Sequence, residues 1–105
     1  MKKSELQEII APENCENMEQ IRKEIDAIDE EIVDLIASRA KYVSAAAKFK
    51  KNEKAVKDAD RVKKVIDSKM KLAEEMGVSP VLIGKIYKVM IDHFVSQELK
   101  EWKEG

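Results

Sequence analysis

Cysteine and histidine occur once each in this chain of 105 residues, and proline and glycine fill only two and three positions. A single Cys15 excludes an intrachain disulfide, and no Cys/His cluster has the spacing of a metal site. Cys15 sits in the polar stretch APENCEN and reads as a surface thiol, and His93 reads as a helix-surface or core-edge residue. Neither sign of charge dominates. Twenty Lys and Arg against 21 Asp and Glu leave a net charge of −1, which gives no reason to expect DNA, RNA or an anionic membrane as partner. No apolar run approaches a membrane span, and MKKSELQEII lacks the apolar core of a signal peptide, so a cytoplasmic protein is expected.

What is abundant is charge and aliphatic side chain, at 39% charged and 44% apolar residues, a composition that fits long amphipathic helices. The expected fold class is all-α. Residues 1–16 read as a tail or short lead-in segment broken at Pro12, and residues 17–105 as one helical domain. Asn17 can cap a helix, and Gln20 can return a hydrogen bond to the backbone as in a capping box. Ile21, Ile25, Ile28, Ile32 and Leu35 follow at alternating spacings of four and three, with Arg39, Tyr42, Ala46 and Phe49 continuing the series. Such a seam predicts a helix of roughly 33 residues, about 50 Å long. A compact monomer of this size has a radius of gyration of only about 13 Å, so the seam predicts an intertwined homodimer in which a second copy covers it.

Residues 51–60, KNEKAVKDAD, read as a polar connection, with Asp58 or Asp60 opening the next helix. Val62, Val65, Ile66, Ala73 and Met76 give that helix an apolar face, and Gly77 stands where a left-handed terminator is wanted. Ser79-Pro80 marks the start of a third helix, with Ile83, Tyr87, Met90, Ile91 and Phe94 spaced for burial and Glu98 one turn beyond. Three helices of unequal length are expected.

Three charges fall on apolar stripes: Arg39, Lys50 and Glu98. On one continuous helix Arg39 and Lys50 point the same way, about 16 Å apart, with Ala45, Ala46 and Ala47 removing side-chain volume nearby. A buried charge without a partner costs several kcal/mol, on the order of a lost ion pair. Either Glu98 satisfies Arg39 or Lys50 in a buried salt bridge, or the cations line a gap that receives a dianionic ligand. Arg22 lies roughly 100° around the same helix from Arg39 and points elsewhere in its own chain, although in an antiparallel pair it reaches the partner's site.

The cation set Arg22, Arg39, Lys50 and Arg61, in register along the chain, resembles that of the all-α chorismate mutase family. PENC, IRKEIDAIDEEIV, YVSAAAKFK, the pair Arg61-Val62, AEEMG and ELKEW are similar to its isochorismate pyruvate lyase branch of salicylate biosynthesis, over nearly the whole chain from Pro12. The resemblance implies an intertwined dimer of three-helix chains with two equivalent sites and no cofactor or metal. It implies that Arg22 is contributed by the partner subunit and that Arg39 and Arg61 hold substrate carboxylates. Lys50 and Glu98 would flank the ether oxygen of the breaking bond, with Arg39, Lys50 and Glu98 as the catalytic set and Val62 and Val95 lining the substrate.

Two departures refine the expectation. Chorismate mutases of this family place a glutamate directly after the arginine matched by Arg61, where it binds the substrate's ring hydroxyl; this chain has Val62 there, as the lyases do. At Glu98 the bacterial members more often have glutamine. The expected function is therefore conversion of isochorismate to salicylate and pyruvate, with conversion of chorismate to prephenate in the same site. The alternatives are a chorismate mutase of aromatic amino-acid biosynthesis and, from another class, a non-catalytic helical dimer serving as a regulatory or interaction module.

Overall fold

A computed structural model describes residues 10–104 of the chain, and the first nine residues of the expected lead-in segment lie outside that range. Among the described residues all regular structure is helical. Helix α1 spans Met18–Ala46, α2 Glu53–Lys57, α3 Ala59–Glu75 and α4 Pro80–Glu104, with 3-10 helices at Pro12–Asn14 and Ala47–Phe49. Three long helices, the first of them the longest, agree with the expected pattern. The chain divides into two compact units between Lys41 and Tyr42.

In the first unit the start of α1 is built as its sequence predicts. Asn17 Oδ1 accepts the Gln20 N–H at 2.9 Å, and Gln20 Oε1 accepts from the backbone N–H of Glu16 at 2.8 Å, one residue earlier than the capping-box expectation. Glu24 holds the incoming chain by accepting the Ile10 N–H at 3.0 Å. The apolar seam forms, yet within the chain it is not buried: Ile25, Ile28, Ile32 and Leu35 remain 43–50% exposed.

At its far end α1 stops earlier than the periodicity predicts. The α-helix closes at Ala46, the next three residues tighten into a 3-10 turn, and Lys50 is extended with φ −86° and ψ 132°. Lys50 therefore does not continue the helix face of Arg39, and the alanines do not line one gap: Ala45 is exposed while Ala47 is buried in the turn. A 3-10 turn advances about 120° per residue instead of 100°, so the heptad count loses its meaning after Ala46.

The second unit packs α3 against α4, with α2 and the 3-10 turn also seated on α4. Its buried apolar residues are Ala47, Val56, Ala73 and Ile91. The stretch expected to be a plain connection contains α2, which Asn52 caps by accepting the Ala55 N–H at 2.8 Å and which Val56, only 2% exposed, anchors. Asp58 then ends α2 and caps α3, a dual role that requires its φ of 29°. Gly77, with φ 74°, closes α3 in a Schellman arrangement in which Val78 N–H reaches Ala73 O at 2.8 Å and Gly77 N–H reaches Glu74 O at 3.2 Å. Ser79 Oγ accepts the Leu82 N–H at 3.1 Å and Pro80 occupies the first turn of α4, as expected.

Candidate active site

Lys50 and Glu98 come together in the second unit, the lysine from the segment after the 3-10 turn and the glutamate from the penultimate turn of α4. Lys50 Nζ stands 3.9 Å from Glu98 Oε2, within ion-pair range and beyond a hydrogen bond. The ammonium donates instead to the Ala55 carbonyl at 3.2 Å, at the middle of α2. Glu98 is 5% exposed, and its Oε2 is buried without a hydrogen-bond partner. Burial pushes its carboxyl above the usual carboxylate range; Lys50 pulls it down, and the like charge of Glu101 adds to the rise. A carboxyl in this setting keeps its proton, and with it a hydrogen-bond donor, to a higher pH than an ordinary one.

Arg61 and Val62 lie in the first turn of α3. The Asp58 carboxylate accepts the Arg61 N–H at 3.1 Å, so the cap that starts the helix also fixes the origin of this side chain, which is exposed. Val62 lines an apolar groove of about 670 Å³ between α3 and α4, together with Ile66, Ile91, Val95 and Leu99. Ion pairs Lys63–Asp67 at 2.9 Å and Lys88–Asp92 at 2.6 Å edge it. Val95, half-buried, faces this groove, whereas Glu98 and Lys50 do not contribute to its walls.

The remaining cations belong to α1 in the first unit. Arg22 is exposed and Arg39 is half-buried. Arg22 is 17 positions before Arg39 and so faces about 100° away on the same helix.

Several groups were not anticipated. Glu31 in α1 is a buried carboxylate at 8% exposure, and its position one turn from both Ile28 and Leu35 was the available signal. Trp102 donates its indole N–H to the Lys50 carbonyl at 3.1 Å, and Ser44 donates its hydroxyl to Glu101 at 2.7 Å. Phe94, Glu98 and Trp102 recur at spacings of four, so the shared face was readable, while the bond to Lys50 was not. Among the described residues no group of His, Cys, Asp or Glu has the arrangement of a metal site, and no helix is long and apolar enough to cross a membrane.

The chain is 31% identical over 93 residues to an isochorismate pyruvate lyase of Pseudomonas aeruginosa, covering 89% of this chain and 92% of the relative. It is 35% identical over 80 residues to a chorismate mutase of Methanocaldococcus jannaschii, covering 74% and 80%. A bifunctional chorismate mutase/prephenate dehydratase of Buchnera aphidicola is 30% identical over 84 residues, which are 79% of this chain and 22% of that protein. Residues 21–99, from the first turn of α1 to the residue after Glu98, match the chorismate mutase type II family. By its helical pattern, by that match and by these relatives, the chain belongs to the chorismate mutase type II family.

Proposed function

We propose that the protein is an isochorismate pyruvate lyase that also rearranges chorismate to prephenate in the same site. The observation that carries the lyase preference is Val62, directly after Arg61 in the first turn of α3. An alkyl side chain cannot hydrogen-bond the ring hydroxyl of chorismate, whereas isochorismate carries its hydroxyl elsewhere on the ring. The extent of the match to a relative named isochorismate pyruvate lyase supports the same reading.

Both reactions are pericyclic and need no nucleophile, metal or cofactor. In the lyase reaction the ether C–O bond breaks while a ring hydrogen passes to the enolpyruvyl methylene, so pyruvate leaves and the ring becomes aromatic. Negative charge grows on the ether oxygen as the bond lengthens. A fixed cation and a protonated carboxyl lower the barrier by meeting that charge, and clamping two carboxylates holds the enolpyruvyl arm over the ring. Lys50 and Glu98 take the first role, Arg39 and Arg61 the second, with Arg22 supplied by the partner subunit and Val95 against the substrate's apolar face.

The decisive assay offers the purified protein isochorismate and chorismate separately and follows salicylate, pyruvate and prephenate. A higher kcat/KM for isochorismate is expected, and Val62→Glu should move the balance toward prephenate. Efficient prephenate formation with no salicylate would overturn the lyase preference in favour of a chorismate mutase, the reading that the Methanocaldococcus relative favours. Turnover of neither substrate would favour a binding module in which Lys50 and Glu98 form a structural ion pair.

The site's dependence on Arg22 requires a dimer. The half-exposed seam of Ile25, Ile28, Ile32 and Leu35 supports one, because a stripe of four large aliphatic side chains left in water forfeits on the order of 1 kcal/mol or more each. The unfolding midpoint is therefore expected to rise with protein concentration. Mixed dimers of an Arg22→Ala chain and an Arg39→Ala chain should regain one intact site out of two. A stable folded monomer at micromolar concentration, or no recovery in mixed dimers, would refute the shared site.

A further inference from the structure

We propose that Trp102 is a positioning residue for Lys50: its indole N–H holds the lysine's backbone against the helix that carries Glu98. The proposal rests on Lys50 acting at the breaking ether bond. Lys50 lies between the 3-10 turn and the cap of α2, where no α-helical ladder fixes its dihedrals. Two hydrogen bonds do so instead. Its N–H donates to Ala47 O at 3.1 Å, and its carbonyl accepts from Trp102 Nε1 at 3.1 Å in a partly buried setting.

Trp102 lies four residues after Glu98 and so projects from the same face of α4. One rigid helix thus carries both the carboxyl and the clamp that sets where the lysine side chain begins. From that origin Nζ reaches the Ala55 carbonyl at 3.2 Å and comes to 3.9 Å from Glu98. Without the indole donor the Lys50 carbonyl is free to turn toward water, and a shift of about 1 Å in the origin of a catalytic side chain is enough to lower its rate contribution severalfold or more. Substrate capture by the arginines does not pass through this bond, so the loss falls on kcat and not on KM.

Trp102 is the only tryptophan in the chain, which permits a nearly isosteric test. β-(3-Benzothienyl)alanine incorporated in its place keeps the bicyclic shape and replaces the N–H donor with sulfur; Trp102→Phe is the genetic counterpart. With the substrate that the wild type turns over faster, kcat is expected to fall about tenfold in the benzothienyl protein, with KM changed less than about twofold. In the wild type the indole proton should exchange with solvent slowly, and it should stay protected in Lys50→Ala, which keeps the backbone carbonyl. An unchanged kcat in the benzothienyl protein, or an indole proton that exchanges as fast as an exposed one, would overturn the proposal. A wild type inactive on both substrates would refute the functional reading and any catalytic role for Trp102. Indole exchange reads the clamp without substrate, so the two failures are distinguishable.

Discussion

Replacing Lys50 with alanine is expected to lower kcat by about two to three orders of magnitude, or roughly 3 kcal/mol or more, while leaving the helix content unchanged. The size of the effect follows from what the fold invests in this one ammonium group. Its backbone is pinned at both polar groups and its Nζ is held by a carbonyl, so in the proposed mechanism it would meet the developing charge without reorganising. Alanine keeps those backbone bonds, and Val56 and Ile91 still anchor α2 and α4, so circular dichroism should report a folded protein. A second consequence separates this variant from a general loss of structure. Lys50 is the cation that pulls the Glu98 carboxyl down, so its removal should raise that group further and shift the alkaline fall in stability toward higher pH. Turnover near the wild-type level in Lys50→Ala would show that the ether oxygen is met by some other group.

Glu98→Gln is expected to reverse the order of the two proteins across the pH range. In the wild type, burial raises the Glu98 carboxyl above its ordinary value, with Lys50 opposing and Glu101 assisting. In the proposed mechanism the group is protonated below that raised value and would donate to the ether oxygen, whereas above it an ionised carboxylate would repel the charge that must grow there. Wild-type kcat should therefore decline as the pH rises through the folded-state value, approaching tenfold per pH unit beyond it. Glutamine offers a donor at every pH and carries no charge, so its profile should be flat and should exceed the wild type on the alkaline side. Stability follows the same sign. A carboxyl whose value is higher folded than unfolded binds its proton more tightly in the native state, so its contribution is complete at pH below the unfolded value and is lost as pH rises through the folded one. The glutamine variant should lack that part of the pH dependence of the melting temperature. Parallel kcat profiles, or an inactive glutamine variant, would return Glu98 to a purely structural partner of Lys50.

Four of the helix boundaries were legible in the sequence, that before α3 only to Asp58 or Asp60, because each is made by residues within a few positions of one another. Asn17 with Gln20, Asp58 with Arg61, Gly77 with Val78, and Ser79 with Pro80 are local devices whose chemistry does not depend on the rest of the chain. Apolar spacing likewise marked the face of α4 on which Ile91 and Glu98 are buried. The same spacing failed at the end of α1 and in the connection after it. Periodicity counts residues at 100° each, and it carries no information about where a chain tightens into a 3-10 turn or where one short turn, Glu53–Lys57, is stabilised by burying Val56 against α4.

By itself, then, the sequence determined the all-α class, the three long helices with most of their caps, and the resemblance to the family to which the chain belongs. Only the tertiary structure decided that Lys50 leaves the helix face that the periodicity predicts for it and meets Glu98 from an extended segment. It also decided that the lysine's backbone is held by Trp102, 52 residues away, and that Glu101 is held by Ser44, 57 residues away. The division has a physical cause. A cap is enthalpically complete within one turn, so its residues suffice to specify it. A contact across some fifty residues exists only once packing of α4 on the turn and on α2 has offset the entropy of closing the loop, and no short window of sequence contains that balance.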